Sequence, residues 1–449
     1  MRPETFPERV LWIYLIGTYG FYALGAQYLA AWGLAWCLTG YLVYQWWQGK
    51  YQSELDRPRV ATAVWLWIAG MMLMTVPVVM GHLDFQLGLP RTIASLVKWS
   101  REWALFALFP LIGCFRIRPQ LIYRGVCIVC LQSLVFAAIG YSSYLIGLPE
   151  TLYTSPLKLG GGTEALYRVS LFAVEAGNNE PRMLMFAPWA PALGLMGAIY
   201  FFLAQHERHT TWRWIGTIGG AVMAVSSLSR LAVVCLPATA FATWYLTNLM
   251  RPYVLVLSGI GSFVIGSLAP YLLLWSQELL DRIRDLRRGS SEIREALNRI
   301  GLYRWRNDAM WWGHGLAAPG NKLTQDMLIG SHHMWVGLLF RHGIAGLVMF
   351  AIPMAWSFAH LAIAAQRQAT ARAALSVAIV LLCFTLGEGI EGLTYLYWPG
   401  LVIMGIAFRE SIQAPMALSR QSENNATGAS ESSAPISSAT AFLTASRNS

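Results

Sequence analysis

The sequence predicts an all-α, polytopic membrane protein of about twelve transmembrane helices with a helical loop on its outer face. Three observations carry that expectation. Hydrophobic residues make up 56% of the 449 residues, charged residues only 12%, and there are 20 tryptophans, which is far from globular usage. Apolar runs of about 20 residues, the length a spanning helix needs, recur along the chain. Lys and Arg fall in the short gaps between alternate runs, the pattern of cytoplasmic loops.

Taken in order, spans are expected near 10–28, 30–47, 60–80, 92–114, 121–146, 184–205, 214–229, 231–248, 252–275, 343–363, 373–389 and 392–408. The first run continues from Val10 to Trp47 without a small-residue cleavage site, so it is expected to stay in the membrane. Alternate gaps carry Lys50, Arg57 and Arg59, then Arg116, Arg118 and Arg124, then Arg208 and Arg213, then Arg251, then Arg367 and Arg372. Both termini are therefore expected in the cytoplasm of a bacterial-type inner membrane. The net charge of +10 belongs to this asymmetry, and no nucleic-acid partner is expected.

Residues 1–410 read as one polytopic domain and 411–449, rich in Ser, Ala, Asn and Thr, as a disordered cytoplasmic tail. The six cysteines lie in or beside apolar runs, and the Cys127–Cys130 pair sits inside one, so neither a disulfide framework nor a metal site is expected. No fixed-period repeat and no matched pair of Gly/Pro-broken helices favours a transporter.

Two outer loops have any size, about 147–183 and 276–342, and chemistry is sought there. The second carries Arg282, Arg284, Arg287, Arg288, Arg294, Arg299, Arg304, Arg306 and Lys322 on the side where cations are usually scarce. Its stretch QELLDRIRDLRRGSSEIREALNRIG reads either as two amphipathic surface helices broken at Gly289–Ser291, or as a binding site for an anion. Downstream, RWRNDAMWWGHGLAAPG mixes arginines with tryptophans and glycines, and GSHHMWVGLLFRHGIAGLVMF opens on a His pair. Arg230 lies at the outer end of a span, where a charge is costly unless it binds something. Arg168 and Arg182 flank the return of the first loop to the membrane, and Glu388 and Glu391 fall near the outer end of the eleventh span. His82, His206, His209, His314, His342 and His360 show no partner pattern.

These segments resemble the O-antigen ligase and O-antigen polymerase superfamily of bacterial membrane glycosyltransferases. The family's segment His-Asn-x-Tyr-Leu-x-x-Leu-x-x-x-Gly-x-x-Gly-Leu is met by His332, His333, Trp335, Val336, Leu339, Gly343, Gly346 and Leu347 at matching spacing, with His333 in the Asn place. A Ser-Arg pair at an outer span end is matched by Ser229-Arg230. An Arg before a Trp-Arg pair and a Gly-x-Gly turn is matched by Arg299, Trp305-Arg306 and Gly313-His314-Gly315, with altered spacing and with Arg304 competing.

The resemblance covers roughly 165–350. It implies polymerisation of lipid-linked polysaccharide repeat units, for an O-antigen, capsule or exopolysaccharide. Glycan would pass from undecaprenyl diphosphate to an acceptor sugar hydroxyl on the outer face, with other polysaccharide-assembly proteins and membrane lipids as partners. The runner-up activities are ligation to lipid A core and transport of a lipid-linked oligosaccharide. His332 is the implied base, with His333 beside it. Arg230, Arg306, Arg299 and Arg304 are candidates for the donor diphosphate, Arg168 and Arg182 for glycan or phosphate, and Glu388 and Glu391 for orienting the site. The leaving diphosphate needs cations, and a guanidinium fork binds phosphate in bidentate fashion. With no carboxylate cluster in the outer loops, no cofactor and no metal are expected, and the arginines take the ion's place.

Overall fold

Long apolar runs that lack strand-like alternation wind into helices, and the chain is mostly helical with little sheet. The computed structural model describes residues 2–49, 60–174, 180–285, 288–319, 328–330 and 333–431. In the first half, α1 (Phe6–Ile16), α2 (Thr18–Ala23), α3 (Gln27–Trp47), α4 (Thr62–Leu73), α5 (Thr75–Asp84), α6 (Leu89–Arg101), α7 (Leu105–Gly113) and α8 (Pro119–Leu145) follow one another. The loop after α8 holds two antiparallel hairpins, β1 (Thr151–Thr154) with β2 (Arg168–Ser170) and β3 (Phe172–Val174) with β4 (Pro181–Met183). The second half comprises α9 (Ala190–Ala204), α10 (Thr210–Ser226), α11 (Arg230–Asn248), α12 (Pro252–Asp285), α13 (Arg288–Asp308), α14 (Met334–Ala364), α15 (Ala369–Thr385) and α16 (Thr394–Glu431). The hairpins qualify the all-α expectation: their three- and four-residue strands are too short to leave a periodic signal.

Among the described residues, six helices are long and apolar enough to cross a membrane: Thr62–Asp84, Pro119–Leu145, Arg230–Asn248, Pro252–Tyr271, Met334–Ala364 and Ile390–Gln413. Ala190–Ala204 and Ala369–Thr385 are shorter apolar helices. The run expected to span at 92–114 is instead broken between α6 and α7. Lys98, Arg101 and Glu102 interrupt its apolar face, and the nine residues of α7 rise only about 13 Å, less than half the hydrocarbon core of about 30 Å. Nearly every residue of α7 is buried by protein, which is how a short helix is tolerated at membrane depth.

The loop helix also differs in detail. Gly289, Ser290 and Ser291 do not break it but lie in the first turn of α13, where backbone N–H groups lack intrahelical partners and Gly or Ser is tolerated.

Two compact units divide the chain, Met1–Arg409 and Glu410–Ser449. Within the second unit α16 continues to Glu431 through MALSRQSE, which contains good helix formers. Residues 432–449 of the expected tail lie outside the described residues.

In the first unit the loops sort to two ends. At one end Arg118 pairs with Glu4 and Glu8, Arg124 meets Glu207 at 2.8 Å, and Arg409 donates to the Phe115 carbonyl. At the other, Tyr22 donates to the Ser170 carbonyl (2.6 Å), Ser155 to the Leu24 carbonyl (2.9 Å) and Thr394 to the Glu102 carbonyl (3.0 Å). Between them sits an aromatic core in which Trp67 stacks on Phe106 at 5.4 Å and Phe350 packs edge-on to Phe106 at 5.3 Å.

The segment with the His pair is built on a helix break. Gly343 has φ 64°, and a Cβ there would lie 2.2 Å from the Trp311 carbonyl oxygen, so only glycine fits. The break frees backbone groups, and the WWGHG loop takes them up. His314 N–H donates to the Phe340 carbonyl (2.8 Å) and Gly315 N–H to the Arg341 carbonyl (3.0 Å), while Ile344 N–H donates to the Met310 carbonyl (3.0 Å). The two stretches singled out in the sequence thus form one interlocked unit.

Candidate functional site

The outer-loop chemistry converges where helix ends meet. At the start of α14, two residues beyond His333, the Trp335 indole donates to Thr385 Oγ1 at 3.1 Å, tying that helix to the end of α15. Past α15, Gly387 sits close to the beginning of α11, since a Cβ on it would lie 2.9 Å from Leu231 Cδ2. On the other side, α13 docks on α14 through Leu297 and Phe340 in a cluster with Ile329, Ile293 and Ile300. His333, Arg230, Arg294 and Glu388 are therefore carried by four segments that meet one another.

Arg230 is the first residue of α11 and is exposed. The turn before it is strained, with Leu228 at φ 49°, a region that branched and bulky side chains rarely enter. Arg182 holds that turn: its Nε donates to the Ser227 carbonyl and its Nη2 to the Leu228 carbonyl, both at 3.3 Å. Ser229 N–H in turn donates to Ser227 Oγ at 3.2 Å. Arg182 thus presents Ser229 and Arg230 and adds a second guanidinium to the site.

Glu388 lies in the turn beyond α15 and is 7% exposed. Burial pushes its carboxyl up to about 7, against the pull of Arg294, the adjacent Trp189 indole and Arg182 and with a further push from Glu391. At neutral pH such a carboxyl is poised to take a proton from a bound hydroxyl. His333 stands at the N-cap position of α14, its Nδ1 is buried without a hydrogen-bond partner among the described residues, and burial lowers its pKa, favouring the neutral ring. His332 lies outside the described residues.

A second charged cluster adjoins the first, joining the sequence candidate Glu391 to residues that sequence reasoning did not single out. Arg341 and Glu391 form an ion pair with side chains 12% and 6% exposed, and the Arg341 Nε also donates to the Gly337 carbonyl at 3.2 Å. Close by are Glu102, with Lys98 Nζ at 3.9 Å and the Tyr28 hydroxyl at 3.5 Å. A cavity of about 50 Å³ is lined by Lys98, Glu102, Trp103, Arg341 and His342 among others. The pair joins the first half of broken α14 to the 3₁₀ turn Ile390–Leu393 that follows Glu388.

The remaining sequence candidates lie elsewhere. Arg299 pairs with Glu295 at 3.0 Å on the exposed side of α13. Arg304 lies over the Phe340 ring at 5.4 Å and 3.9 Å from Asp308, and Arg306 is exposed. Arg168 is exposed on β2, opposite Thr154. Glu391 belongs to the Arg341 pair. Among the described residues of the second loop, Arg294 is a cation whose charge acts on Glu388. Arg341, Lys98 and Glu102 had a visible signal, each being a charge inside an otherwise apolar run.

Among the described residues no group of three or more His, Cys, Asp or Glu side chains is arranged to hold a metal ion. No protein-family model matches the sequence, and no curated protein matches it. What the site can do is therefore argued from its chemistry: the charges of Arg294 and Arg182 act on a buried carboxyl whose pKa burial raises to about 7.

Because the Glu388 carboxyl is raised in the folded state, its contribution to stability is full below the ordinary carboxylate pKa and is lost as pH rises through about 7. Glu388→Gln should remove that slope, so the variant gains stability over wild type at pH 8 but not at pH 4. Thermal unfolding in detergent at the two values is the measurement, and parallel curves for both proteins would place Glu388 in solvent.

Proposed function

We propose that this protein is an integral inner-membrane glycosyltransferase that polymerises lipid-linked polysaccharide repeat units, with undecaprenyl-diphosphate glycan as donor and a sugar hydroxyl as acceptor. The observation that carries the reading is the junction of Glu388 with Arg182, Arg294 and the Arg230 turn beside His333. In the reaction the acceptor oxygen loses its proton to a base and attacks the anomeric carbon. The bond from that carbon to the diphosphate oxygen breaks, and Arg230 and Arg294 take the charge of the departing diphosphate. His332 is the base the resemblance implies, and Glu388 has the proton affinity for the same duty.

Short helices around the junction support a lipid-anchored donor. The 15 residues of α9 and 17 of α15 rise about 22–26 Å, short of the hydrocarbon core of about 30 Å. Helices that short, placed with their inner ends at the cytoplasmic face, end below the outer headgroups, where a diphosphate on a lipid tail can reach.

Incubating the purified protein with lipid-linked repeat units, with and without EDTA, tests the reading: longer glycan in both conditions is expected. Unchanged glycan that has crossed the bilayer of a reconstituted vesicle would indicate transport instead. In cells, a deletion strain of a polymerase retains single repeat units on lipid A core, whereas loss of a ligase leaves undecaprenyl-linked polymer.

The proposed topology has about twelve crossings, both termini cytoplasmic and the loop of about 276–342 outside. The sorting of loops to two ends of the first unit is what such alternation requires. Reporter fusions at Lys50 and Gly289 should be active on opposite sides of the membrane, and activity on the same side rejects this map.

Arg230→Lys keeps the charge but loses the planar fork, so most transfer should be lost while the protein reaches the membrane in normal amount. Polymer of near wild-type length and quantity would make Arg230 a surface charge only.

A further inference from the structure

A cavity with two arginines in its lining lies at the end of the first unit opposite Glu388. There the link from α11 to α12 and the link from α14 to α15 enclose a cavity of about 250 Å³ lined by Thr247, Asn248, Met250, Arg251, Gln366 and Arg372. That volume approaches the roughly 300 Å³ at which small-ligand pockets begin. Two guanidinium groups share the cavity, and no carboxylate lines it. Arg372 Nε donates to the Ala365 carbonyl at 2.8 Å, which fixes the direction of the fork, and among the described residues Arg251 Nη1 donates to the Tyr253 hydroxyl at 3.3 Å. Arg124 at the same end already has its acid, Glu207, so the lack of one beside Arg251 and Arg372 is local.

The surroundings say what kind of anion fits. Exposed apolar side chains flank the cavity: Trp244 on α11, Met250 in the link, Tyr253 and Leu255 on α12, and Ile363 on α14. A free inorganic anion has no use for that surface, whereas a phospholipid has acyl chains to lay along it.

We propose that this cavity binds the phosphate headgroup of an anionic phospholipid, with Arg251 and Arg372 as the ligating forks and Asn248 and Gln366 as neutral donors. The acyl chains lie along the apolar flank of α11 and α12. The site is separate from the transfer chemistry and does not depend on it; under the proposed topology it draws lipid from the cytoplasmic leaflet.

The test uses the full chain purified in a non-ionic detergent and exposed to phosphatidylglycerol, to phosphatidylcholine or to inorganic phosphate alone, with retained ligand read by native mass spectrometry. Phosphatidylglycerol should be retained in preference to phosphatidylcholine. The Arg251→Gln/Arg372→Gln double variant should lose about tenfold or more in retention, as expected for removing charge-assisted hydrogen bonds. Arg251→Lys/Arg372→Lys, which keeps the charge should the Gln pair fold poorly, should show a smaller loss, and Arg213→Gln, in the first turn of α10 and outside the cavity lining, should show none. Equal retention of the two lipids, or retention unchanged in both double variants, overturns the proposal. Binding of inorganic phosphate that displaces the lipid and needs the same two arginines overturns the lipid assignment in favour of a free-phosphate site.

Discussion

Glu391→Gln should destabilise the protein by about 3–5 kcal/mol, the usual cost of leaving one member of a buried ion pair without its partner. Arg341 and Glu391 are almost wholly enclosed, and the neutral amide leaves the guanidinium charged and facing Glu102 alone. Removing both charges tells a different story, because well-packed apolar residues of similar volume often replace a buried pair at no loss. Arg341→Met/Glu391→Leu should therefore recover most of the stability lost by Glu391→Gln. Transfer should stay low in that double variant, since the pair holds the half-helix bearing His333 against the turn that follows Glu388. Thermal unfolding in detergent and glycan length on a gel give the two readouts. A Glu391→Gln protein that melts with wild type would mean that water reaches the pair.

His332→Ala should nearly abolish transfer while donor binding stays measurable, because removing a positioned general base typically costs about 10²- to 10⁴-fold in rate. His333→Ala should be milder and His333→Asn tolerated, as the family motif that the segment resembles has Asn in that place. His333 stands at the N-cap position of α14 without a side-chain capping bond, and burial lowers its pKa, so Asn, a favoured N-cap residue, fits there. Should His332→Ala keep its rate while His333→Ala loses it, the motif register is off by one residue. Should both keep it, Glu388 becomes the base, and Glu388→Gln should then remove an acid limb near pH 7 from the rate profile. If the base is instead an imidazole of ordinary pKa, activity falls below about pH 6.5.

Several parts of the molecule were legible from residues alone. The apolar runs predict most helices to within a few residues, as at Pro119–Leu145 and Arg230–Asn248. Gly343 and Gly346 stand out in the His segment, and the first of them proves to be a helix break that no other residue fits. The break between α6 and α7 was masked by averaging: Lys98, Arg101 and Glu102 are diluted by the tryptophans and leucines around them. Arg341 is visible as a charge in an apolar run, but a span expected at 343–363 begins beyond it, whereas α14 starts at Met334. The loop arginines could not be ranked, because Arg294, Arg299, Arg304 and Arg306 share one helix and differ only in which face they occupy. Docking through Leu297 and Phe340 settles that face, turning Arg299 toward Glu295 on the exposed side and leaving Arg294 within reach of Glu388.

By itself the sequence determined the helical class with long apolar runs, the placing of Lys and Arg in alternate gaps between those runs, and the concentration of His, Arg and Glu in a few connecting segments. These are sums over neighbours in the chain, and transfer free energy adds locally along a run of about 20 residues. Only the tertiary structure decided that Arg182 braces the Ser229-Arg230 turn, that Glu388 is buried among cations, and that Arg341 meets Glu391 fifty residues later. Each of these is a contact between segments distant in sequence, fixed by which helix faces interlock, and a charge acts on its partner through separation in space and shielding from water.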